Sequence, residues 1–159
     1  MKSLTITGPN VKGNLLDAAL ELAKIAPVFP LRHIIDGKCS CGKECDSPGK
    51  HPITKHGFKD ASQDQQRIRK WWEKSPRANI GLVTGSEMVV IDVDGPQGEE
   101  ILKQEQEKVG QLPNTRVSSS SEGKYHLYFL KPAHLKITNS TPDHWEKLDI
   151  RGDGGYVVA

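Results

Sequence analysis

The run Met88-Val-Val-Ile-Asp-Val-Asp94 constrains the fold more than any other stretch of the chain. It is dominated by β-branched apolar residues, so it reads as a strand. The two-residue period of a strand sends Val89, Ile91 and Val93 to one face and Val90, Asp92 and Asp94 to the other. Two carboxylates therefore become neighbours on a sheet whose reverse side is apolar. Like charges so placed are costly unless a cation or a shared proton relieves them, and oxygen donors suit hard divalent ions such as Mg²⁺. The alternative is that Asp92 and Asp94 are turn formers ahead of Gly95 and Pro96. Strand interiors are depleted in Asp, which weighs against it.

The pattern on either side fills in an α+β chain. Leu15, Ala18, Ala19, Leu22 and Ala23 recur at helical spacing behind Asn14 and Asp17, placed as an N-cap pair, which predicts a helix from Asn14 to Ile25 ended by Pro27. Val28 to Leu31 reads as a strand, and the polar stretch from Asp36 to Gly57 as a loop. Gln63 to Lys74 predicts a second helix, with Ile68, Trp71 and Trp72 available to a core. Asn79 to Val83 and Met88 to Val93, separated by Thr84-Gly-Ser-Glu87, have the pattern of a hairpin. A third helix is expected over Gly98 to Val109, then strands at Thr115–Ser118, His126–Leu130, Leu148–Ile150 and Tyr156–Val158. Three helices and six or seven strands, the later ones not separated by helices, imply a largely antiparallel sheet. The 159 residues suit a single domain, 1–159, with 36–57 as an inserted loop. The last residues, Tyr156-Val-Val-Ala159, look like a strand cut short, so the chain reads as a piece of a longer polypeptide.

Composition excludes several classes of function. Mean hydropathy is −0.55 and no stretch approaches the roughly 20 consecutive apolar residues of a membrane helix. The N-terminus lacks the apolar core of a secretory signal, so the expected address is cytoplasmic. The formal net charge of +2 announces no polyanion partner by itself, so any such partner must be sought in local patches.

Cys39, Cys41 and Cys45 with His51 give the spacing C-x-C-x3-C-x5-H. Three thiolates and one imidazole are the donors of a closed, structural Zn²⁺ site, with His56 or His33 as alternative fourth ligands. The first gap is shorter than in common zinc modules. Lys50, Lys55 and Lys59 flank this cluster, and Arg67, Lys70 and Lys74 recur at i, i+3 and i+7 on the second helix. They form a basic stripe that is either a solvated helix face or a surface for nucleic acid, where Trp71 or Trp72 stacks on bases or serves the core.

Two further residues bear on the carboxylates. Alternation along Leu148-Asp-Ile-Arg151 puts Asp149 and Arg151 on one face, as a structural aspartate or a third metal ligand. His126 opens a strand after a Ser/Gly loop, as an ordinary strand residue or a functional one.

Taken in order, Ile91-Asp-Val-Asp94, His126-Leu-Tyr-Phe129 and Leu148-Asp-Ile-Arg-Gly-Asp-Gly-Gly-Tyr-Val-Val-Ala159 resemble the N-terminal primase-polymerase domain of the archaeo-eukaryotic primase superfamily, from about Leu15 to the end. The resemblance implies an RRM-like catalytic core with a zinc-stabilised loop. It implies template-directed nucleotidyl transfer on single-stranded DNA from nucleoside triphosphates, using two Mg²⁺ or Mn²⁺ ions. Asp92, Asp94 and Asp149 would be the metal ligands, and His126 would contact the phosphates of the incoming nucleotide. The family's second motif has a small residue two positions before its histidine, where this chain has Lys124. Either the loop carries an extra residue or Lys124 itself reaches a phosphate, beside Arg151 and the hydroxyls of Ser119 or Ser120 and the backbone of Gly123. Some members carry Cys- and His-bearing insertions followed by a Gly-Lys-His-Pro run, as at Gly49–Pro52 here. The resemblance further implies a replication protein of a bacterial mobile element or phage, with a helicase domain in the full-length polypeptide.

Two other readings compete. A zinc-stabilised, non-catalytic nucleic-acid-binding module explains the cysteines and the basic stripe but leaves the paired aspartates unused. A haloacid-dehalogenase-type phosphatase also begins with a strand ending Asp-x-Asp-Gly, its first Asp a nucleophile. That motif opens a parallel sheet and is followed by Thr or Val, whereas Pro96 follows here and only 65 residues remain after Asp94.

Overall fold

Asn14 starts the first helix as the spacing predicts. In the computed structural model, which describes residues 2–3, 14–121, 123–143 and 145–159, the Asn14 side chain accepts from the Asp17 amide at 3.0 Å and α1 spans Leu15–Leu22. Such a cap stabilises a helix by about 1 kcal/mol. The helix ends three residues before the predicted Ile25, because residues 23–25 turn towards Pro27 and the residue before a proline is disfavoured in the helical region.

The chain divides into two compact units, one of Gly8–Val83 with Tyr156–Ala159, the other of Met1–Thr7 with Thr84–Gly155. Within the first, β2 (Val28–Leu31), β5 (Asn79–Val83) and β10 (Tyr156–Val158) form an antiparallel sheet with β5 in the centre. Helices α1 and α2 (Gln65–Lys74) pack on one another, α1 also against β5 and α2 against β2. They bury Ala19, Leu22, Ile68 and Trp72 together with all of β2. Asp64 caps α2 by accepting from the Arg67 amide at 2.7 Å, so the helix begins two residues after the predicted Gln63. Trp72 is the core tryptophan, its indole N–H donating to the Ala78 carbonyl at 3.2 Å, while Trp71 is half-buried. The stretch read as a loop carries a two-stranded ribbon, β3 (Ile34–Ile35) with β4 (Lys38–Cys39), and a short 3-10 helix at Gly57–Asp60.

The second unit is a five-stranded antiparallel sheet. β6 (Met88–Asp94) lies between β8 (Lys124–Leu130) and β9 (Leu148–Arg151), and β7 (Arg116–Ser121) and β1 (Lys2–Ser3) both pair with the other side of β8. Helix α3 (Pro96–Val109) covers one face. Val93, Leu102 and Leu148 form the centre of that layer, joined by Ile91, Ile101, Leu112, Tyr125, Leu127 and Trp145. The close packing needs Gly98, where a Cβ would sit 2.2 Å from the Lys147 carbonyl oxygen. Lys147 itself adopts φ 67°, a left-handed conformation that directs this carbonyl to the Asp94 amide at 2.9 Å and leads into β9.

The hairpin read between Asn79 and Val93 does not form. β5 pairs with β2 and β10, β6 with β8 and β9, so the two runs belong to different sheets. At the crossing, Thr84 is buried and held by its amide to the Gly155 carbonyl and by its hydroxyl to the Gly152 carbonyl. These long-range bonds replace the cross-strand ladder that a local turn implies. Ten strands are present among the described residues rather than six or seven, the extra ones being short, and every strand pairing is antiparallel. No helix among the described residues is long and apolar enough to cross a membrane.

Candidate active site and metal centre

The face of the five-stranded sheet opposite α3 is polar toward the end of β6 and apolar at its start, where Met88 and Val90 are buried, and its register arranges side chains in rows. Asp149, Asp92, His126 and Ser118 are direct cross-strand partners on β9, β6, β8 and β7. The next row toward the start of β6 holds Arg151, Val90, Tyr128 and Arg116, and the row at its end pairs Asp94 with Lys124. Neighbouring strands lie about 4.8 Å apart, so the first row carries two carboxylates and an imidazole side by side. The long-range pairing of β6 with β9 brings Asp149 beside Asp92, but the ligand atoms of Asp92, Asp94, Asp149 and His126 do not form a group of three or more within 4.8 Å of one another.

The carboxylates are matched by cations. Arg151 donates to Asp149 Oδ2 at 2.6 Å and lies 3.3 Å from Asp92 Oδ2. Lys124 Nζ is 2.6 Å from Asp94 Oδ1, with Lys147 Nζ at 3.8 Å from Oδ2. His126 Nε2 is 3.3 Å from Asp92 Oδ1. Burial raises the Asp92 pKa, but the His126 hydrogen bond and the charges of His126 and Arg151 outweigh it and hold the carboxyl below its usual value. The Lys124 bond, opposed by slight burial, does the same at Asp94. Both are therefore anionic at neutral pH. Thr141 donates its hydroxyl to Asp149 Oδ1, so the oxygen that Arg151 leaves is also held. An all-oxygen donor set, partly exposed on one face, fits hard divalent cations in chemistry. Such an ion would compete with Arg151, Lys124 and Lys147 for the same oxygens.

The other predicted nucleotide contacts fall out differently. Ser119 is cross-strand to Tyr125, on the face opposite His126, and its hydroxyl donates to the Lys124 carbonyl. Ser120 sits where the register of β7 slips, and its side chain is outside the described residues. That slip is an irregularity between Ser119 and Ser121. Gly123, with φ 70°, turns the chain so that its carbonyl accepts from the Gly95 amide at 2.7 Å.

Tyr128, Ser118, Arg116, Thr141 and Lys147 were not singled out by the sequence. Tyr128 was within reach of it, since the strand period places it on the face of His126. Ser118 and Arg116 share that face only through the pairing of β7 with β8, and Thr141 lies in a segment without regular structure, tied to β9 through Ser140 and Ile150.

In the first unit, ligand atoms of Cys39, Cys41, Cys45 and His51 all lie within 4.8 Å of one another, and among the described residues no other group of three or more metal-binding side chains is so tight. Cys39 Sγ is 3.0 Å from His51 Nε2. The β3–β4 ribbon delivers Cys39 and the loop beyond it the rest. Burial opposes ionisation of Cys39, yet backbone amides at Gly49 and Cys41 and the His51 ring bring its pKa down to about 6. Burial and the adjoining thiols push Cys45 up to about 11. Cys39 is thus a ready thiolate, while Cys45 keeps its proton at neutral pH. Three sulfurs and a nitrogen within this span fit tetrahedral Zn²⁺. The alternatives to His51 lie elsewhere: His56 binds Asp60 at 3.0 Å, and the His33 ring nitrogens are buried without a partner.

On α2, Arg67, Lys70 and Lys74 are exposed, and the Arg67 guanidinium lies 5.0 Å from the centre of the Trp71 ring. Lys50, Lys55 and Lys59 are exposed as well. The phosphatase reading finds no support, since β6 runs antiparallel to both neighbours rather than in a parallel sheet.

A family model described as bifunctional DNA primase/polymerase, N-terminal, matches residues 19–159. No curated protein and no solved structure matches the chain.

Proposed function

The chain belongs to the family of bifunctional DNA primase/polymerase N-terminal domains, a family of nucleotidyltransferases acting with DNA and nucleotides, and from that premise we propose that it joins nucleotides on a single-stranded DNA template. The observation that carries the proposal is the row Asp149–Asp92–His126, with Asp94 one pleat along the same face. Asp92, Asp94 and Asp149 would hold two Mg²⁺ or Mn²⁺ ions. Bound there, such ions stabilise charge on the attacking 3′-oxygen and on the leaving pyrophosphate. His126 offers its ring N–H to a phosphate oxygen of the incoming nucleotide. Lys124 and Arg151, released from the carboxylates, supply positive charge beside the triphosphate. Ser120 remains a candidate phosphate contact.

Cys39, Cys41, Cys45 and His51 are proposed to hold a structural Zn²⁺. Lys50, Lys55, Arg67, Lys70 and Lys74 are proposed to meet the template backbone, with Trp71 half-exposed beside Arg67 for stacking. Both compact units would serve one catalytic domain of a larger replication protein that includes a helicase.

The test is incorporation of labelled nucleotides on single-stranded DNA with Mg²⁺ or Mn²⁺, with Asp92→Ala/Asp94→Ala as the comparison. Product from the parent alone supports polymerisation. Equal product from both proteins rejects it. DNA binding without any incorporation by the parent favours the second reading, a zinc-stabilised binding module, which rests on the exposed basic stripe of α2.

A further inference from the structure

We propose that Tyr128, itself held by Ser118, is a positioning residue that fixes the His126 ring so that its Nε2–H faces the incoming triphosphate. The inference rests on the nucleotidyltransferase reading above. Tyr128 Oη lies 2.8 Å from Ser118 Oγ and 3.3 Å from His126 Nδ1, and His126 Nε2 lies 3.3 Å from Asp92 Oδ1. The four groups form one chain across β7, β8 and β6, and Ser118 is the direct cross-strand partner of His126. The two rings of β8 meet edge to face, 6.0 Å between centres at 77°.

The direction of the protons follows from the ends of this chain. Asp92 Oδ1 lies 3.3 Å from Nε2, and a carboxylate oxygen accepts, so Nε2 is the ring nitrogen that donates there. Burial raises the Tyr128 pKa, which keeps its phenol protonated, and Tyr128 is 3% exposed with no solvent to satisfy it. Ser118 donating to Tyr128, and Tyr128 to Nδ1, gives every hydroxyl and ring nitrogen of the chain a partner. When a phosphate oxygen replaces Asp92 as the acceptor at Nε2, the bond at Nδ1 still holds the ring. A ring already aimed loses less freedom on binding, so the benefit falls on nucleotide affinity.

A merely structural Tyr128 would satisfy its own buried hydroxyl and nothing more. Tyr128→Phe is therefore compared with the parent in two backgrounds, wild type and His126→Ala, by the Kd of a fluorescent nucleoside triphosphate, and the mobility of the His126 ring is read from NMR relaxation of its Cε1–H group. The loss of one such hydrogen bond is expected to weaken nucleotide binding about 5- to 10-fold in the wild-type background and not at all beside His126→Ala. The ring, held in the parent, should gain mobility in Tyr128→Phe, and Ser118→Ala should shift both readouts less. Equal affinity with unchanged ring mobility overturns the inference, as does the same fold-loss in both backgrounds. Should Tyr128→Phe fold poorly, the ring mobility in Ser118→Ala decides, an unchanged one counting against it. A parent that binds no triphosphate overturns the nucleotidyltransferase reading and the triphosphate role of Tyr128 with it, and the ring mobility then reports separately whether Tyr128 orients the ring.

Discussion

The cysteine cluster and the carboxylate face of this chain hold their charge in opposite ways. At the cysteine cluster, burial and the adjoining thiols push Cys45 up to about 11, while, against burial, backbone amides at Gly49 and Cys41, the His51 ring and the Cys41 thiol bring Cys39 down to about 6. On the carboxylate face every aspartate already has a cation, Arg151 for Asp92 and Asp149, Lys124 and Lys147 for Asp94. In the first arrangement Cys39 is ionised at neutral pH while Cys45 keeps its proton, so a metal bound there would displace that proton and couple its binding to local folding. The second is neutralised from within and open, so an ion or substrate there exchanges partners instead of creating order. A closed site of the first kind secures local structure, and an open one of the second leaves room for chemistry.

The largest effect that tests this contrast is on incorporation. Asp92→Asn and Asp149→Asn should each lower nucleotide incorporation about 10³-fold, while single-stranded DNA binding and zinc content stay at parent values. A variant that keeps half its activity would place the chemistry elsewhere. Second in size is the pH dependence of zinc binding, followed by competition with a chromophoric chelator. The Cys45 proton must leave at any pH below about 11, so affinity should fall at least about tenfold per pH unit as pH drops from 8, and more steeply near 6 as Cys39 also gains a proton. A pH-independent affinity would mean that the cluster is not a thiolate site.

Smaller changes sharpen the boundary between the regions. Lys70→Gln and Lys74→Gln should each reduce the salt slope of single-stranded DNA binding by roughly one, with a few-fold loss of affinity and no change in zinc content. Unchanged slopes would mark the α2 stripe as a solvated face. The smallest effect is on acid stability. Asp92 is held below its unfolded value, so its contribution is present above pH ~4 and fades as pH falls through the lower folded value. Thermal unfolding of Asp92→Asn should therefore depend less on pH than the parent between about pH 4 and 2.

Much of this was legible because the signals are local. Helix caps at Asn14 and Asp64, the strand period through Asp92 and Asp94, and the close spacing of Cys39, Cys41, Cys45 and His51 each act over a few residues. What escaped depends on distant pairing. Thr84 bonds to Gly152 and Gly155, which breaks an apparent hairpin, and no local rule reports such a partner. Lys124 and Arg151 are candidate phosphate contacts in the sequence, but their ion pairs with the carboxylates, the approach of Lys147 to Asp94 and that of Thr141 to Asp149 depend on separate segments meeting. Ser119 faces away from His126 because β7 pairs in one register and not its neighbour, a choice that a run of four serines cannot announce.

Binding of Mn²⁺, followed by electron paramagnetic resonance on zinc-loaded protein, tests most directly whether β6 and β9 act as one metal-holding surface. Mn²⁺ should bind the parent, and Asp92→Asn and Asp149→Asn should each weaken that binding at least about tenfold. Undiminished Mn²⁺ binding in Asp149→Asn would contradict this.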